Sequence, residues 1–322
     1  MNLKFVAYNT SVLLSNGSIK KVQDLSSNDI LCGDDNCDVK ILKIEDCECE
    51  NDMCNFIVIP RIGKNFYLYG LHNIPVYFND IKTLFPVYEF YNFFNKDRNV
   101  FLYNHCYNFE HHSNMYMDPY FLGIWLSQYA KQNTEDVVIP TNCIRIYLSH
   151  SFIEPYVHKM TVKFNLEYNS TDDYIDILDE KFVSIFNYYN LLDKNNLHIP
   201  LVYKTSNPKI RIQLLSALCD MLGNKDEDCF IFDKISNQTF LDDCCFILNS
   251  LGFQTSILKG HIKIFSRTIF SIPMVSKKEI NIDKMLSFVN NYFQVAPIYE
   301  KRYYAIQLTR DSNILLGDFT VV

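Results

Sequence analysis

The side chains richest in chemistry near the start of the chain are five clustered cysteines, Cys32, Cys37, Cys47, Cys49 and Cys54. Structural zinc is held by paired thiolates, typically C-x2-C with each pair on a turn. Only Cys47-Glu-Cys49 is tightly spaced here, so these residues are expected to be reduced and metal-free. The total of 11 cysteines is odd, and 322 residues are too many for a small secreted disulfide scaffold, which points to a reducing, intracellular setting. Two further residues could move protons. His72, in Tyr69-Gly-Leu-His72-Asn-Ile-Pro-Val, titrates near neutrality but, taken alone beside a proline, reads as a satisfied structural histidine. Asp311, in Thr-Arg-Asp-Ser-Asn, taken alone reads as a turn aspartate.

The elements that must hold these residues change character along the chain. Up to about residue 80 the pattern is short strands. Val12–Ser15 and Ile19–Val22 flank Asn16-Gly17, a strong hairpin signal, and further runs are Asp29–Cys32, Val39–Ile44, Asn55–Ile59 and Phe66–Tyr69. From about residue 118 the period becomes helical. Asp118-Pro119 is an N-cap followed by proline, with Phe121, Leu122, Trp125 and Leu126 at helical spacing. Pro208 opens a second such helix, carrying Ile212, Leu215, Leu218 and Cys219 on one face. Helices are also expected over Ser151–Phe164, Glu180–Tyr189 and Phe240–Leu251, with strands at Ile144–Leu148 and Ile262–Phe265. Tyr303–Val322 returns to short strands, so an α/β block is expected to interrupt an all-β domain.

Composition excludes several classes. Hydrophobic residues make up 48% and charged residues 21%, enough to bury a core, and the length suggests two domains. The net charge of −7 argues against coating nucleic acid by bulk positive charge. No apolar run approaches the ~18 residues of a membrane helix, and the N-terminus lacks a signal-peptide core. A soluble monomer without membrane association is the expectation.

The β segments together resemble the two ends of an intein, the Hint fold of self-splicing proteins and hedgehog-type processing domains. Ala7-Tyr-Asn-Thr-Ser-Val-Leu-Leu-Ser-Asn-Gly17 resembles the first splicing block, C-x-x-x-x-T-x-V-x-x-x-D/N-G, although two residues separate Ala7 from Thr10 where the family usually has four. Ile19–Leu25 and Asp29–Gly33 continue the match, and Tyr69–Val76 resembles the T-x-x-H block. Tyr303–Val321 resembles the last strands of fungal and vacuolar-ATPase-type inteins, which continue into a His-Asn pair. The resemblance implies autocatalytic protein splicing. A thiol or hydroxyl at the Ala7 position would attack the preceding carbonyl, His72 would polarise that amide and protonate its nitrogen, and Asp311 would assist later steps. Ala7 has no nucleophile, Tyr69 replaces the usual Thr, and the sequence stops at Val322 before any His-Asn, so splicing is expected to be blocked.

The inserted block resembles a LAGLIDADG (dodecapeptide) homing endonuclease. Pro119–Tyr129 resembles one motif, L-G-L-W-L-G-D-G, and Leu214–Gly223 resembles the other, F-L-A-G-L-I-D-A-D-G. In that family each motif helix delivers a carboxylate to divalent metal at the DNA phosphodiester, and Mg²⁺ requires such hard oxygen ligands. The matched positions here are Gln128 and Leu222; Asp220 falls two residues early, at the family's structural aspartate. The two helices are expected to pack side by side through the small residues Gly123, Ser127, Ser216 and Ala217, with Gln128 and Leu222 near each other above a saddle-shaped sheet. Residues 114–290 hold 17 Lys plus Arg against 20 Asp plus Glu, so DNA binding is expected to be vestigial.

The expected fold is therefore a Hint β-domain split by a degenerate, two-repeat α/β LAGLIDADG domain. Residues 1–6 would be host or vector residues, 7–113 and 291–322 the Hint parts, and 114–290 the insertion. Splicing needs no cofactor, and Mg²⁺ would matter only for an active endonuclease. The implied partner is a host protein in cis; Asn2–Val6 resembles a stretch of the second-largest subunit of multisubunit RNA polymerases. The alternatives are an active homing endonuclease cutting DNA at the intein insertion site, and a domesticated DNA-binding or scaffolding protein.

Overall fold

A computed structural model describes residues 3–49, 54–79, 81–94, 100–109, 115–131, 140–225, 229–266, 269, 271–276 and 291–322. The expected boundaries at 113/114 and 290, and Asn2, lie outside these residues. In chain order the elements begin with strands β1 (Leu3–Ala7), β2 (Ser11–Leu13), β3 (Ile19–Lys21), β4 (Ile30–Cys32), β5 (Asp38–Glu48), β6 (Asn55–Pro60), β7 (Phe66–Tyr69), β8 (Asn73–Phe78) and β9 (Ile81–Pro86). A helical turn α1 (Val87–Glu89) runs into a π-helical stretch over Phe90–Phe94 and strand β10 (Val100–Leu102). There follow α2 (Pro119–Lys131), β11 (Ile144–Tyr147), α3 (Ile153–Phe164), β12 (Tyr168–Ser170), β13 (Tyr174–Ile177), α4 (Glu180–Tyr188), α5 (Leu201–Lys204) and α6 (Pro208–Leu222). The chain closes with β14 (Gly223–Lys225), β15 (Phe230–Phe232), α7 (Gln238–Ser250), β16 (Gln254–Leu258), β17 (His261–Phe265), β18 (Asn291–Ile298) and β19 (Arg302–Leu308). The fold is mixed α/β with one large antiparallel sheet. No helix among the described residues is long and apolar enough to cross a membrane.

The chain divides into two units, Met1–Phe109 with Leu248–Ser256 and Phe288–Val322, and Glu110–Ile247 with Ile257–Ser287. The first unit is built on a ten-stranded sheet in the order β4-β5-β19-β1-β7-β6-β18-β10-β8-β9. β19 lies between β5 and β1, so the last strands of the chain pair directly with strands near its start, Ala7 opposite Tyr303 and Leu3 opposite Gln307. Alternation explains the inward residues: Val39 and Ile41 of β5 are buried while Lys40 and Leu42 are exposed. β5 extends to Glu48, past the apolar run at Val39–Ile44, because its polar end Glu45–Glu48 pairs with Ala305–Arg302 of β19. β2 and β3 form the expected hairpin, with Gly17 at φ 82° and its N–H donating to Leu14 O at 2.9 Å. The core gathers Val6, Leu31, Val58, Leu68, Ile74 and Ile306 with many others.

The second unit is built around α2 and α6. Asp118 caps α2, its Oδ1 accepting from the N–H groups of Tyr120 and Phe121 at 2.9 and 3.1 Å. Asn207 caps α6 by accepting from Ile210 N–H, ahead of Pro208 at the first helical position. The two helices pack on each other at their small residues. A Cβ on Gly123 would lie 2.6 Å from Ala217 Cβ and 2.9 Å from Leu214 O. Ser127 and Ser216 spend their hydroxyls on carbonyls one turn earlier, Gly123 O and Ile212 O, leaving the contact apolar. A three-stranded sheet, β11-β13-β12, and the strands β14-β15-β17 accompany these helices.

The close approach at Gly123 generates a direct expectation. Gly123→Val would drive branched methyls into Ala217 and the Leu214 carbonyl, and should cost about 3 kcal/mol of unfolding free energy in urea titrations.

Candidate functional site

His72 sits in the turn between β7 and β8, its N–H bonded to Tyr69 O at 2.9 Å and its carbonyl accepting from Val87 N–H at 3.0 Å. The ring is buried, and Nδ1 accepts a hydrogen bond from the backbone N–H of Phe5 at 3.1 Å. That bond requires a neutral ring with its proton on Nε2, and Nε2 has no hydrogen-bond partner among the described residues. Burial, aided by the nearby charge of Lys4, lowers the His72 pKa to about 3. The imidazole is thus held neutral against a backbone amide, as a group that polarises a peptide bond would have to be.

The amide it meets is not the expected one. Ala7 is fully buried in β1 opposite Tyr303, two residues beyond Phe5, whose amide is the one that His72 touches. The four-residue spacing before Thr10 carries the same signal: counted back from Thr10 it lands on Phe5. Thr10 itself is buried, its hydroxyl donating to Tyr67 O at 2.7 Å and accepting from Tyr67 N–H at 3.1 Å, which fixes the turn after β1 to β7. The Phe5 ring packs edge-on to Tyr69 and Tyr303, with centroids at 5.8 and 6.3 Å, and those two tyrosines stack at 4.1 Å with planes 7° apart. Three rings therefore fill the ground beside His72. Tyr69 stands where a threonine was expected, and the part taken by Tyr303 was not foreseen.

Asp311 also departs from expectation. It is exposed in the loop after β19, and its charge bears on Lys4 rather than on His72. Among the described residues no hydrogen bond joins Asp311 to His72 or to Ala7. Lys4 instead donates to Asn313 Oδ1 at 2.9 Å.

In the second unit the motif positions are occupied by structural bonds. Gln128, at the end of α2, is buried and clamps the backbone of Tyr147 in β11: Nε2 donates to Tyr147 O at 2.6 Å and Oε1 accepts from Tyr147 N–H at 3.0 Å. Leu222 ends α6 fully buried and offers no ligand atom. Asp220 is fully buried and fully engaged, accepting from Tyr120 OH at 2.7 Å and from Val275 and Ser276 N–H at 2.9 and 2.8 Å. A divalent ion would need hard oxygens pointing to one place. These residues do not fit one, and among the described residues no group of three or more His, Cys, Asp or Glu could hold a metal. On the β11-β13-β12 sheet, Arg145 is paired across the strands with Asp176 through two bonds of 2.8 Å and stacks 3.9 Å over Tyr174. Its charge is therefore already met by a carboxylate.

The cysteine cluster is corrected in one respect. Cys49 and Cys54 form a disulfide, while Cys32, Cys37 and Cys47 are free. The bond follows from the chain path: Cys49 N–H donates to Lys301 O and Cys54 O accepts from Gly70 N–H, which brings the end of β5 beside the start of β6.

No protein-family model matches the chain, and no curated protein matches it. Solved structures of the homing endonuclease I-DmoI are similar to about half of it. The complex of I-DmoI with DNA and calcium is 14% identical, covering 48% of this chain and 88% of that one at a TM-score of 0.33. The complex with DNA and manganese is 16% identical, covering 51% and 97% at a TM-score of 0.34. Mesophilic variants of I-DmoI are 14% identical, covering 51% and 100% at a TM-score of 0.33.

Two measurements follow from this geometry. His72 binds its proton near pH 6.5 when unfolded but only near pH 3 when folded, so its contribution to stability is complete above pH 6.5 and lost on acidification. Unfolding free energy should fall with a slope that approaches about 1.4 kcal/mol per pH unit between about pH 5.5 and 4, and His72→Gln should remove that slope. Gln128→Glu would set a carboxylate against the Tyr147 carbonyl, and burial raises such a pKa. The variant should equal the parent near pH 4 and lose about 2 kcal/mol by pH 7 in denaturant melts.

Proposed function

We propose that this chain is an intein-type Hint protein whose splicing chemistry has been lost, and whose inserted LAGLIDADG-like domain no longer cuts DNA. The observation that carries the reading is the hydrogen bond from Phe5 N–H to the neutral, buried His72. A histidine so held could polarise the peptide bond between Lys4 and Phe5 and later protonate its nitrogen. Phe5 supplies no nucleophile, so the bond stays intact. The pairing of β1 with β19 supports the reading, since splicing chemistry requires the two ends of such a domain to meet. The partner would be a host protein in cis.

For the inserted domain, Gln128, Leu222 and Asp220 support inactivity, because none presents a free carboxylate to a metal. The Arg145–Asp176 pair and the acid excess of residues 114–290 support weak DNA binding. No cofactor is required for the remaining role, a packed passenger inside the β-domain.

A reporter fused ahead of Met1 tests the splicing ancestry. In Phe5→Cys, a thiol such as dithiothreitol should release the reporter by cleavage between residues 4 and 5, whereas Ala7→Cys should release none. Release from the Ala7 variant, or from neither, would overturn the assignment. Plasmid nicking with Mg²⁺ or Mn²⁺ should be absent, and specific cleavage would show the endonuclease positions to be misplaced.

A further inference from the structure

Three polar side chains from distant parts of the first unit meet beside β1. Lys4, partly buried, donates from Nζ to Asn313 Oδ1 at 2.9 Å. Asn313 Nδ2 donates in turn to Asp34 Oδ2 at 3.0 Å. The same two residues are joined through the backbone, Asp34 N–H donating to Asn313 O at 3.2 Å. Their loops are held on both sides: Gly33 bridges Ile314, and Arg310 grips Asp35 through bonds of 2.6 and 2.7 Å and Cys37 O at 3.0 Å. Lys82 donates to Asp34 Oδ2 at 3.1 Å from the outer side. An amine, a carboxamide and a carboxylate are thus fixed in a row, with the carboxamide carbon one bond from the oxygen that the amine already touches.

We propose that Lys4, Asn313 and Asp34 form an isopeptide centre that joins Lys4 Nζ covalently to Asn313 Cγ. The lone pair of the neutral Lys4 amine attacks Cγ, forming the N–C bond as the carbonyl electrons move onto Oδ1. Asp34 accepts the proton shed by Nζ and delivers it to Nδ2. The C=O bond re-forms, the Cγ–Nδ2 bond breaks and ammonia leaves, so that no oxidant, reductant or cofactor is consumed. Fixed proximity is what such a step needs, because an amide is otherwise inert to an amine. Burial, helped by Lys82, pulls the Lys4 pKa below the usual lysine value, against the opposing charges of Asp311 and Asp34, which enlarges the fraction of free amine. The bond would tie β1 to the loop after β19 and lock the first strand against leaving the sheet. It does not rest on the splicing ancestry proposed above, but it would hold a reporter on the chain after cleavage between residues 4 and 5, so that release is read in Lys4→Arg.

Intact-mass spectrometry of the full chain, incubated at pH 8, tests the proposal. The parent should be lighter than its sequence by one ammonia, and trypsin should yield a branched peptide joining Lys4 to Asn313. Lys4→Arg should keep its full mass, and Asp34→Asn should slow the mass loss about a hundredfold. Asn313→Asp keeps the shape of the side chain and should lose one water instead, which guards against misreading a variant that fails to fold. Circular dichroism is compared throughout. Full sequence mass in the parent after days, with Lys4 and Asn313 in separate peptides, would overturn the proposal, as would a link from Lys4 to any other residue.

Discussion

The first unit depends on one strand pairing, β1 against β19, made between residues about 300 positions apart in sequence. β19 is flanked by β1 and β5, so removing it would split the ten-stranded sheet and expose two long unpaired edges. The same pairing brings Tyr303 over Phe5 and Tyr69, and sets the loop after β19 beside Lys4 and Asp34. Loop closure over such a distance is entropically unfavourable. The chain meets that cost with apolar burial along Val6, Ile306 and Leu308 rather than with charge.

The residues at the motif positions of the second unit are structurally satisfied. A glutamine at 128 both donates to and accepts from one peptide unit, which a carboxylate cannot do, so the amide is chemically matched to its place and not a neutral stand-in for an acid. Asp220 accepts three hydrogen bonds inside the protein, enough to hold a buried carboxylate without any metal. Phe5, whose N–H bonds His72, packs its ring edge-on to the stacked pair Tyr69 and Tyr303.

Much of the local structure was legible. The Asn16-Gly17 hairpin, the cap Asp118, the helix start at Pro208 and the small-residue seam of α2 and α6 follow from turn chemistry, orphan N–H groups and close backbone approach. Contacts between distant segments are not legible in this way. Thr10 is tied to Tyr67 through two bonds, which places Phe5 rather than Ala7 at the amide that His72 meets. The loop after β19 leaves Asp311 exposed, with its charge bearing on Lys4. The disulfide escaped notice because Cys49 and Cys54 are brought together by partners at Gly70 and Lys301, not by a recognisable pair spacing.

The sequence by itself determined the elements, their caps, the apolar seams and the absence of a nucleophile or free carboxylate at the matched positions, because these depend on residue type and short-range periodicity. Only the tertiary structure decided which amide His72 meets, that Lys4, Asn313 and Asp34 form a row, and that Gln128 belongs to Tyr147. Those outcomes depend on register between strands and loops far apart in the chain, and a shift of one residue would turn each side chain to the opposite face.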